Sequence, residues 1–437
     1  MKPQKVKTTI EKLVFGGQGL SHIDGKVLFS WNALPDEVAE VEIQKKKKDF
    51  LEGRVINVVQ PSKERIEPEE EHFLSCSPWQ IMSLQYENSL KQEVARESFL
   101  RTAKISFPKL PITSLTDAYG YRNKMEYSFS FARDGKDQIS LAFFERGKKF
   151  RFPIHGCKLA REEINNAAVG ILEWINAWKV PLRSLKSLIL RSNRQGEVIA
   201  ALFIKDELHM PNFDIALVHG LVGFRVYFSS WKSPASNPDT LLFSIGSEEI
   251  QERLLNASFS YGALSFFQVH PEIFERALMR MKDFIPKNSD LLDYYGGVGS
   301  ISIPFGAHIR SSVIIDSNEE AISYAEKNIN TNKLHHFTSI CKRSEDVLEA
   351  IEREKIMIVD PPREGLHQDV VKKILEVMPI RVVYLSCNIS TQARDLSLLS
   401  ERYKVVNAEL FNFFPRTPHI ESLVVLDPLD NQGIVGI

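Results

Sequence analysis

Hydrophobic and polar positions follow three different rhythms along the chain, and each rhythm predicts a different kind of domain. In residues 1–60, short β-rich runs alternate with turn sequences such as Asp24-Gly25 and Leu34-Pro35-Asp36. This spacing predicts a small five-stranded β-barrel of the oligonucleotide-binding type over residues 1–60. The predicted strands include residues 8–13, 26–29, 38–43 and 51–59.

A charged, proline-containing linker follows at residues 61–71 and opens a second region of mixed character. Residues 81–105 carry apolar side chains at helical spacing, and residues 120–250 mix short strands with a helical patch at 162–178. We therefore predict an α+β central domain over residues 61–250. The helix near residues 85–105 is expected to pack with the domain that follows.

From about residue 270 the pattern changes to regular alternation of helix and strand. Such alternation is typical of an α/β fold with a doubly wound, mostly parallel sheet, here of seven strands, and helices on both faces. The last two predicted strands, 404–411 and 423–426, have no helix between them, which indicates an antiparallel pair. This third domain is predicted over residues 251–437.

Composition places the chain among globular proteins, with 43% hydrophobic and 25% charged residues. The sequence contains no run of eighteen apolar residues, and its first residues lack the apolar core of a signal peptide. We therefore expect a cytoplasmic protein without a membrane partner.

The overall net charge of −1 argues against a nucleic-acid partner, but the charge is unevenly distributed. Residues 72–250 hold 23 basic and 18 acidic groups, whereas residues 251–437 hold 20 and 25. Within residues 120–161, ten basic groups against four acidic ones are interleaved with aromatic residues. Basic groups neutralise phosphates and aromatic rings stack on unpaired bases, so RNA is a candidate partner, with a solvated sheet face as the alternative.

A glycine-rich turn follows the first strand of the third domain. The strand ending at Asp293 runs into Gly296-Gly297-Val298-Gly299, and Asp316 lies 23 residues after Asp293, at the end of the next strand. Glycines there allow close approach of a ligand, and an acid at this spacing can hold the hydroxyls of a ribose. A Walker lysine is absent, which disfavours ATP.

Residues that are candidates for catalysis or binding lie at the ends of three later strands. Asp360-Pro361-Pro362 forms a rigid wall, and Ser386-Cys387-Asn388 places a cysteine at the same sheet edge. A nearby arginine, with Arg394 close in sequence, is expected to lower the pKa of Cys387 and favour the nucleophilic thiolate. Glu421 is a candidate base. Cys341 is interpreted as a small core residue, and the spacing of His and Cys predicts no zinc site or other metal site.

Taken together and in order, these motifs resemble the RNA (uracil-5-)-methyltransferase family with an amino-terminal TRAM domain. The resemblance implies a class I methyltransferase fold, S-adenosylmethionine as cofactor and RNA as substrate. The motifs that carry it, over nearly the whole chain, are Gly17-Gln18-Gly19, Gly120-Tyr121-Arg122-Asn123-Lys124, Ser265-Phe266-Phe267-Gln268-Val269, Asp360-Pro361-Pro362-Arg363, Ser386-Cys387-Asn388 and Phe414-Pro415-x-Thr417-x-His419-x-Glu421.

The resemblance also implies roles for individual residues. Cys387 would add to C6 of uracil, and Glu421 would later remove the proton from C5. Further contacts with cofactor or substrate are implied for Gln268, Tyr295, Asp316, Asp360, Phe266 and Arg122, with Phe266 stacking on the extruded base.

The sequence departs from the family pattern at an iron–sulfur site. Many members hold a cluster through four cysteines, of which only Cys76 and Cys157 are present, while Glu70 and Trp79 occupy the other two positions. Two thiolates cannot hold a four-iron cluster, so none is expected. Arg343 stands where an acidic or polar adenine contact is usual, which leaves that end of the cofactor site open.

Two other functions remain possible from the sequence. An amino-methyltransferase of the same fold would leave Cys387 and Glu421 without a role, and a non-catalytic RNA-binding or assembly factor could retain the fold. For the leading function, a uridine of 23S ribosomal RNA is favoured over transfer RNA. A monomer is expected.

Overall fold

A computed structural model describes residues 4–133, 138–146, 150–233 and 236–429. Lys148 and Lys149, which belong to the basic stretch 120–161, lie outside the described residues. Within these ranges, no helix is both long and apolar enough to cross a lipid bilayer.

The amino-terminal barrel has six strands in the described residues rather than the predicted five, because its first strand is divided. At the break, the Ile10 amide donates to the Glu37 carbonyl and the Glu11 amide to the Leu20 carbonyl, each at 2.8 Å. The strands are β1 (Lys5–Thr9), β2 (Lys12–Leu13), β3 (Gly19–Ile23), β4 (Lys26–Trp31), β5 (Val38–Lys46) and β6 (Phe50–Gln60). Their order in the sheet is β1-β5-β6-β4-β3-β2, so the segment that contains β1 and β2 lies at both edges.

The segment after the barrel joins all three parts of the molecule. A short helix, α1 (Phe73–Cys76), precedes α2 (Leu84–Ser98), which Ser83 caps by accepting from the Tyr86 amide at 3.2 Å. The helix continues as a π-helical turn, Phe99–Ala103, whose Phe99 belongs to the same core as residues of the carboxy-terminal sheet. Strand β7 (Ile112–Thr113) then enters that sheet.

The central domain is a seven-stranded sheet covered by one long helix, α3 (Glu162–Trp178). The buried face of α3 carries Ile164, Ala167, Ile171 and Ile175, at the spacing of an amphipathic helix. The strands, in the order β10-β9-β8-β11-β12-β13-β14, are β8 (Lys124–Phe131), β9 (Ile139–Phe144), β10 (Arg151–Ile154), β11 (Leu185–Ser192), β12 (Val198–Ile204), β13 (Leu221–Phe228) and β14 (Thr240–Gly246).

The carboxy-terminal domain begins with a hairpin and continues as a doubly wound sheet. The elements are β15 (Glu249–Leu254), β16 (Ala257–Gly262), α4 (Pro271–Lys282), β17 (Asp290–Tyr294), β18 (Ser311–Asp316), α5 (Glu319–Thr331), β19 (Phe337–Cys341), β20 (Ile356–Val359), α6 (Gln368–Val377), β21 (Arg381–Ser386), α7 (Ile389–Leu399), β22 (Tyr403–Phe411) and β23 (Glu421–Pro428). The strand order in the doubly wound sheet is β19-β18-β17-β20-β21-β23-β22-β7, in which only β23 runs antiparallel to its neighbours. In the described residues this sheet has eight strands instead of the predicted seven, because β7 joins it from far upstream in the chain.

The interpretation of Cys341 as a core residue is wrong. Cys341 ends β19, the edge strand of the sheet, and its side chain is exposed. Only the alternate side chains of an edge strand face the core, and the sequence does not identify β19 as an edge.

Candidate active site

Candidate residues from several strands converge at one edge of the carboxy-terminal sheet. Asp316 ends β18, Asp360 follows β20 and Cys387 follows β21, and these strands run parallel. Strand β23 is antiparallel, so its first residue, Glu421, lies at the same edge, next to Ser422, which pairs with Ser386. The carboxyl ends of parallel strands are where α/β folds bind their ligands.

The turn after β17 forms a cradle beside Asp316. Gly297 has a φ of 55°, and a Cβ atom built on it would meet nothing within 4 Å, so the turn is open toward solvent. The Gly297 amide donates to Asp316 Oδ2 and the Asn318 amide donates to Asp316 Oδ1, each at 2.9 Å. These bonds orient a carboxylate that can accept from ribose hydroxyls. Tyr295, half-buried, lies at the start of the turn with a φ of 62°.

Asp293, near the end of β17, is a further polar residue beside the turn. It is fully buried, and its carboxylate lies close enough to Ser302 for this residue to oppose part of the rise in its pKa. Burial, with a smaller contribution from the charge of Asp316, raises the pKa of Asp293 to about 7. The signal in the sequence was an acid inside the apolar strand Leu291-Leu292-Asp293-Tyr294.

Asp360 and Gln268 meet in the same pocket. Gln268, 5% exposed, donates from Nε2 to Asp360 Oδ2 at 3.3 Å. Burial and the neighbouring Asp293 carboxylate raise the pKa of Asp360 to about 7. Two weakly acidic carboxyls side by side form an acidic pocket that is suited to a cationic or hydrogen-bond-donating ligand.

The pKa of Cys387 is raised rather than lowered, so that expectation is wrong. Burial first, and then the charges of Glu421 and Asp360, raise the pKa of this thiol to about 12. Arg394 is engaged elsewhere, donating from Nη2 to Asp395 Oδ1 at 2.7 Å. The arginine that does act on Cys387 is Arg363, and its charge offsets only part of the shift.

The proposed base, Glu421, is 2% exposed, and burial together with the charge of Asp360 raises its pKa well above the usual range. Hydrogen bonds from the side chain of Asn388 hold the loop that carries Cys387. Asn388 Oδ1 accepts from the Ser390 amide at 3.1 Å, which caps α7, and Asn388 Nδ2 donates to the Arg363 carbonyl at 2.8 Å. The Asp360 and Cys387 loops are thereby tied together.

The two candidate substrate residues lie on different elements near this edge. Phe266 is 65% exposed, which leaves its ring free to stack on a base. Arg122 is partly buried and its guanidinium lies 6.0 Å from the ring centre of Tyr121. The Tyr121 hydroxyl donates to the Pro415 carbonyl at 3.1 Å, so the central domain contacts the loop that leads to Glu421.

Arg343 does not enter the pocket. Its side chain is 65% exposed and donates from Nε to Asp346 Oδ2 at 2.9 Å. Elsewhere, Cys76 and Cys157 lie together with Glu70 and His72, the four ligand-type atoms all within 4.8 Å of one another. The family pattern already relates Glu70, Cys76 and Cys157, and His72 is the member of the group that the sequence did not indicate.

Comparisons with known proteins agree with this geometry. Residues 245–428 match the family model for tRNA (uracil-5-)-methyltransferases, and residues 2–56 match the TRAM domain. The match covers the third domain, and this domain is assigned to the tRNA (uracil-5-)-methyltransferase family. The matches confirm the family resemblance and the methyltransferase class of enzyme expected from the sequence.

Relatives of this methyltransferase align over its full length. It is 27% identical to an RNA methyltransferase of Enterococcus faecalis, with 97% of each chain covered. It is also 27% identical to one of Caldanaerobacter subterraneus, over 98% of this chain and 99% of the relative. A Pyrococcus abyssi tRNA (uracil-54, C5)-methyltransferase, solved with S-adenosyl-L-homocysteine, shares the fold with a TM-score of 0.77 and 23% identity, over 96% of this chain and 100% of that one.

Proposed function

We propose that this methyltransferase modifies C5 of a uridine in RNA through a covalent bond between Cys387 and C6 of the base. The observation that carries the proposal is the meeting of Cys387, Asp360 and Glu421 at one sheet edge, where β21 and β23 pair at Ser386 and Ser422. A thiol nucleophile beside a buried carboxyl base is what the reaction requires, because C5 of uracil is too poor a nucleophile to react unaided.

The residues of the turn and pocket fit the cofactor. Asp316 and Gly297 would hold its ribose end, with Tyr295 beside them. S-adenosylmethionine, when bound, supplies an electrophilic methyl group as a sulfonium. In the order of the strands, β20 with Asp360 lies between β17 and β21 with Cys387, and Gln268 donates to Asp360.

Cys387 and Glu421 would act in sequence on the base. The thiolate forms a bond to C6, which makes C5 nucleophilic; after methylation Glu421 takes the C5 proton, and the sulfur leaves as C5=C6 re-forms. A carboxylate whose pKa is raised is a stronger base, and burial of Glu421 provides that property. General-base assistance of this kind contributes roughly 10²–10⁴-fold in rate.

The RNA target is proposed as a uridine of 23S ribosomal RNA. The TRAM match at residues 2–56 and the remnants of the cysteine pattern, Cys76 and Cys157, support this branch of the family. Transfer RNA is the second candidate, because the matching family model and the Pyrococcus abyssi relative carry a tRNA function in their names.

The test is incubation with labelled S-adenosylmethionine and unmodified ribosomal or transfer RNA, followed by nucleoside analysis. We expect 5-methyluridine from wild type, none from Cys387→Ala, and a denaturation-resistant protein–RNA adduct from Glu421→Gln. Cys341→Ser, a cysteine change outside the pocket, is the matched control for handling of the thiol variants. Full activity of Cys387→Ala would exclude covalent catalysis, and absence of 5-methyluridine on every RNA would exclude the proposed reaction.

A further inference from the structure

Four side chains of the kinds that bind metals meet where the linker joins the central domain. Glu70 comes from the linker, His72 directly precedes α1, Cys76 ends α1, and Cys157 comes from the segment after β10. One donor atom from each lies within 4.8 Å of the other three. The group is remote in sequence from Cys387 and Glu421 and has no part in the proposed reaction.

The donor geometry fits a single tetrahedral ion. Glu70 Oε1 and His72 Nε2 are 3.2 Å apart. In a tetrahedral zinc site, nitrogen and oxygen ligands at about 2.0–2.1 Å from the metal are about 3.3 Å from each other. His72 is largely buried, and Glu70 and Cys157 are the groups that interact with its imidazole.

Outer contacts hold the donors in place, as they do in established metal sites. The Lys158 amide donates to Glu70 Oε1 and Gln80 Nε2 donates to Glu70 Oε2, each at 2.7 Å. Gln80 Nε2 also donates to Ser77 Oγ at 2.6 Å, and Ser77 Oγ lies 2.9 Å from Cys76 Sγ. Both carboxylate oxygens of Glu70 are thus oriented before any ion binds.

The pocket is largely closed to water. Cys157 is 2% exposed, and the side chains of Glu70 and His72 are 8% and 11% exposed. Burial costs free energy when it brings two thiols, an imidazole and a carboxylate together, unless these groups are neutralised or bind a shared cation.

The four-cysteine iron–sulfur cluster of related enzymes does not fit these residues. Only two of the donors are thiolates, and Trp79, at another expected cysteine position, is 2% exposed and donates from Nε1 to the Gly17 carbonyl at 3.2 Å. Four donor atoms within 4.8 Å of one another are also too close to enclose several iron atoms and their sulfides. Two thiolates with one imidazole and one carboxylate instead suit Zn²⁺.

We propose that this chain binds one structural Zn²⁺ through Glu70, His72, Cys76 and Cys157. The ion replaces the cluster at the same junction and fixes the linker and α1 to the central domain. All four coordination positions are filled by protein, which is the arrangement of structural rather than catalytic zinc.

The test uses full-length protein purified under reducing conditions without chelator. Elemental analysis is expected to find about one zinc per chain and no stoichiometric iron. Replacement of zinc by Co²⁺ is expected to give the intense visible bands of a tetrahedral ion and the near-ultraviolet absorption of thiolate–cobalt bonds. This spectrum comes from wild type and does not depend on the folding of any variant.

Cys76→Ser and His72→Gln are expected to lose most of the zinc, whereas Cys341→Ser, an exposed cysteine far from the group, retains it. The proposal is overturned by any of three results: wild type that takes up no zinc or cobalt on reconstitution, a brown protein containing iron and sulfide, or a Cys76–Cys157 disulfide in place of the metal. Equal zinc loss in Cys341→Ser also contradicts it.

Discussion

The reactivity of the Cys387 thiol provides a direct measurement of the active-site electrostatics. Its pKa of about 12 lies three units above the ordinary value of 9.0. Each unit corresponds to about 1.4 kcal/mol, so ionising this thiol costs about 4 kcal/mol more than ionising a free one. At neutral pH the thiolate fraction is therefore about 1000-fold lower, and we expect correspondingly slow alkylation of the free enzyme.

The perturbation is Glu421→Gln, which removes the larger of the two charges that oppose the Cys387 thiolate. Burial is the largest cause of the shift and the charge of Glu421 is the next, so loss of that charge is expected to lower the pKa of Cys387 and to speed its alkylation at pH 9. Wild type and variant are treated with iodoacetamide between pH 7 and 11, and the Cys387 peptide is quantified by mass spectrometry. The exposed Cys341 reports on the reagent in the same samples.

Steric shielding and a raised pKa give different pH profiles. The rate of a shielded thiol with an ordinary pKa is low and levels off near pH 9, whereas the rate of a thiol with a pKa of about 12 still rises about tenfold per pH unit above pH 9. A rate for Cys387 that levels off at or below pH 9 in the free enzyme would refute the reasoning. So would an unchanged profile in Glu421→Gln.

Three further predictions concern residues around the site. The pKa of Asp293 is raised from 3.8 to about 7, so the folded protein binds this proton more tightly than the unfolded chain and loses stability as pH rises through that range. Asp293→Asn, which cannot ionise, should therefore raise the melting temperature at pH 8 but not at pH 4. Equal changes in melting temperature at the two pH values would contradict this. Lys91→Ala removes an amine that lies 2.8 Å from Glu87 Oε1, with both side chains fully buried, and should cost about 3–5 kcal/mol in urea unfolding; a loss below about 1 kcal/mol would contradict a buried ion pair. Phe266→Ala should weaken RNA binding by about 1–3 kcal/mol in a filter or anisotropy assay, with no change in melting temperature because the ring is 65% exposed.

Local periodicity identified most elements of the carboxy-terminal sheet. The hydrophobic pattern predicts strands at residues 290–294 and 356–359, and the structure has both with these bounds. The predicted helix 162–178 of the central domain also has the same bounds in the structure. These segments are buried on both faces or strongly amphipathic, and such patterns are readable in one sequence. Strand β7, with two residues, is below the length at which periodicity can be detected.

The electrostatics of the site could not be predicted in the same way. The sequence places Arg394 close to Cys387, but Arg394 pairs with Asp395, while Glu421, 34 residues after Cys387, is the nearer influence on its pKa. A pKa depends on burial and on the charges around a group in space, and sequence distance gives neither. For the same reason His72 was not recognised as a neighbour of Cys157.

The position of Glu421 depends on residues far from it in the chain. The loop before it is held by α2, where the carboxylate of Glu87 accepts from the Arg416 amide at 3.0 Å and Lys91 donates to the Phe414 carbonyl at 3.1 Å. The central domain adds the bond from the Tyr121 hydroxyl to the Pro415 carbonyl. Because these partners belong to the segments that link the barrel and the central domain, a shift of either domain would move the proposed base relative to Cys387. The position of the proposed base is therefore set by hydrogen bonds from outside the doubly wound sheet as well as by the pairing of β23 with β21.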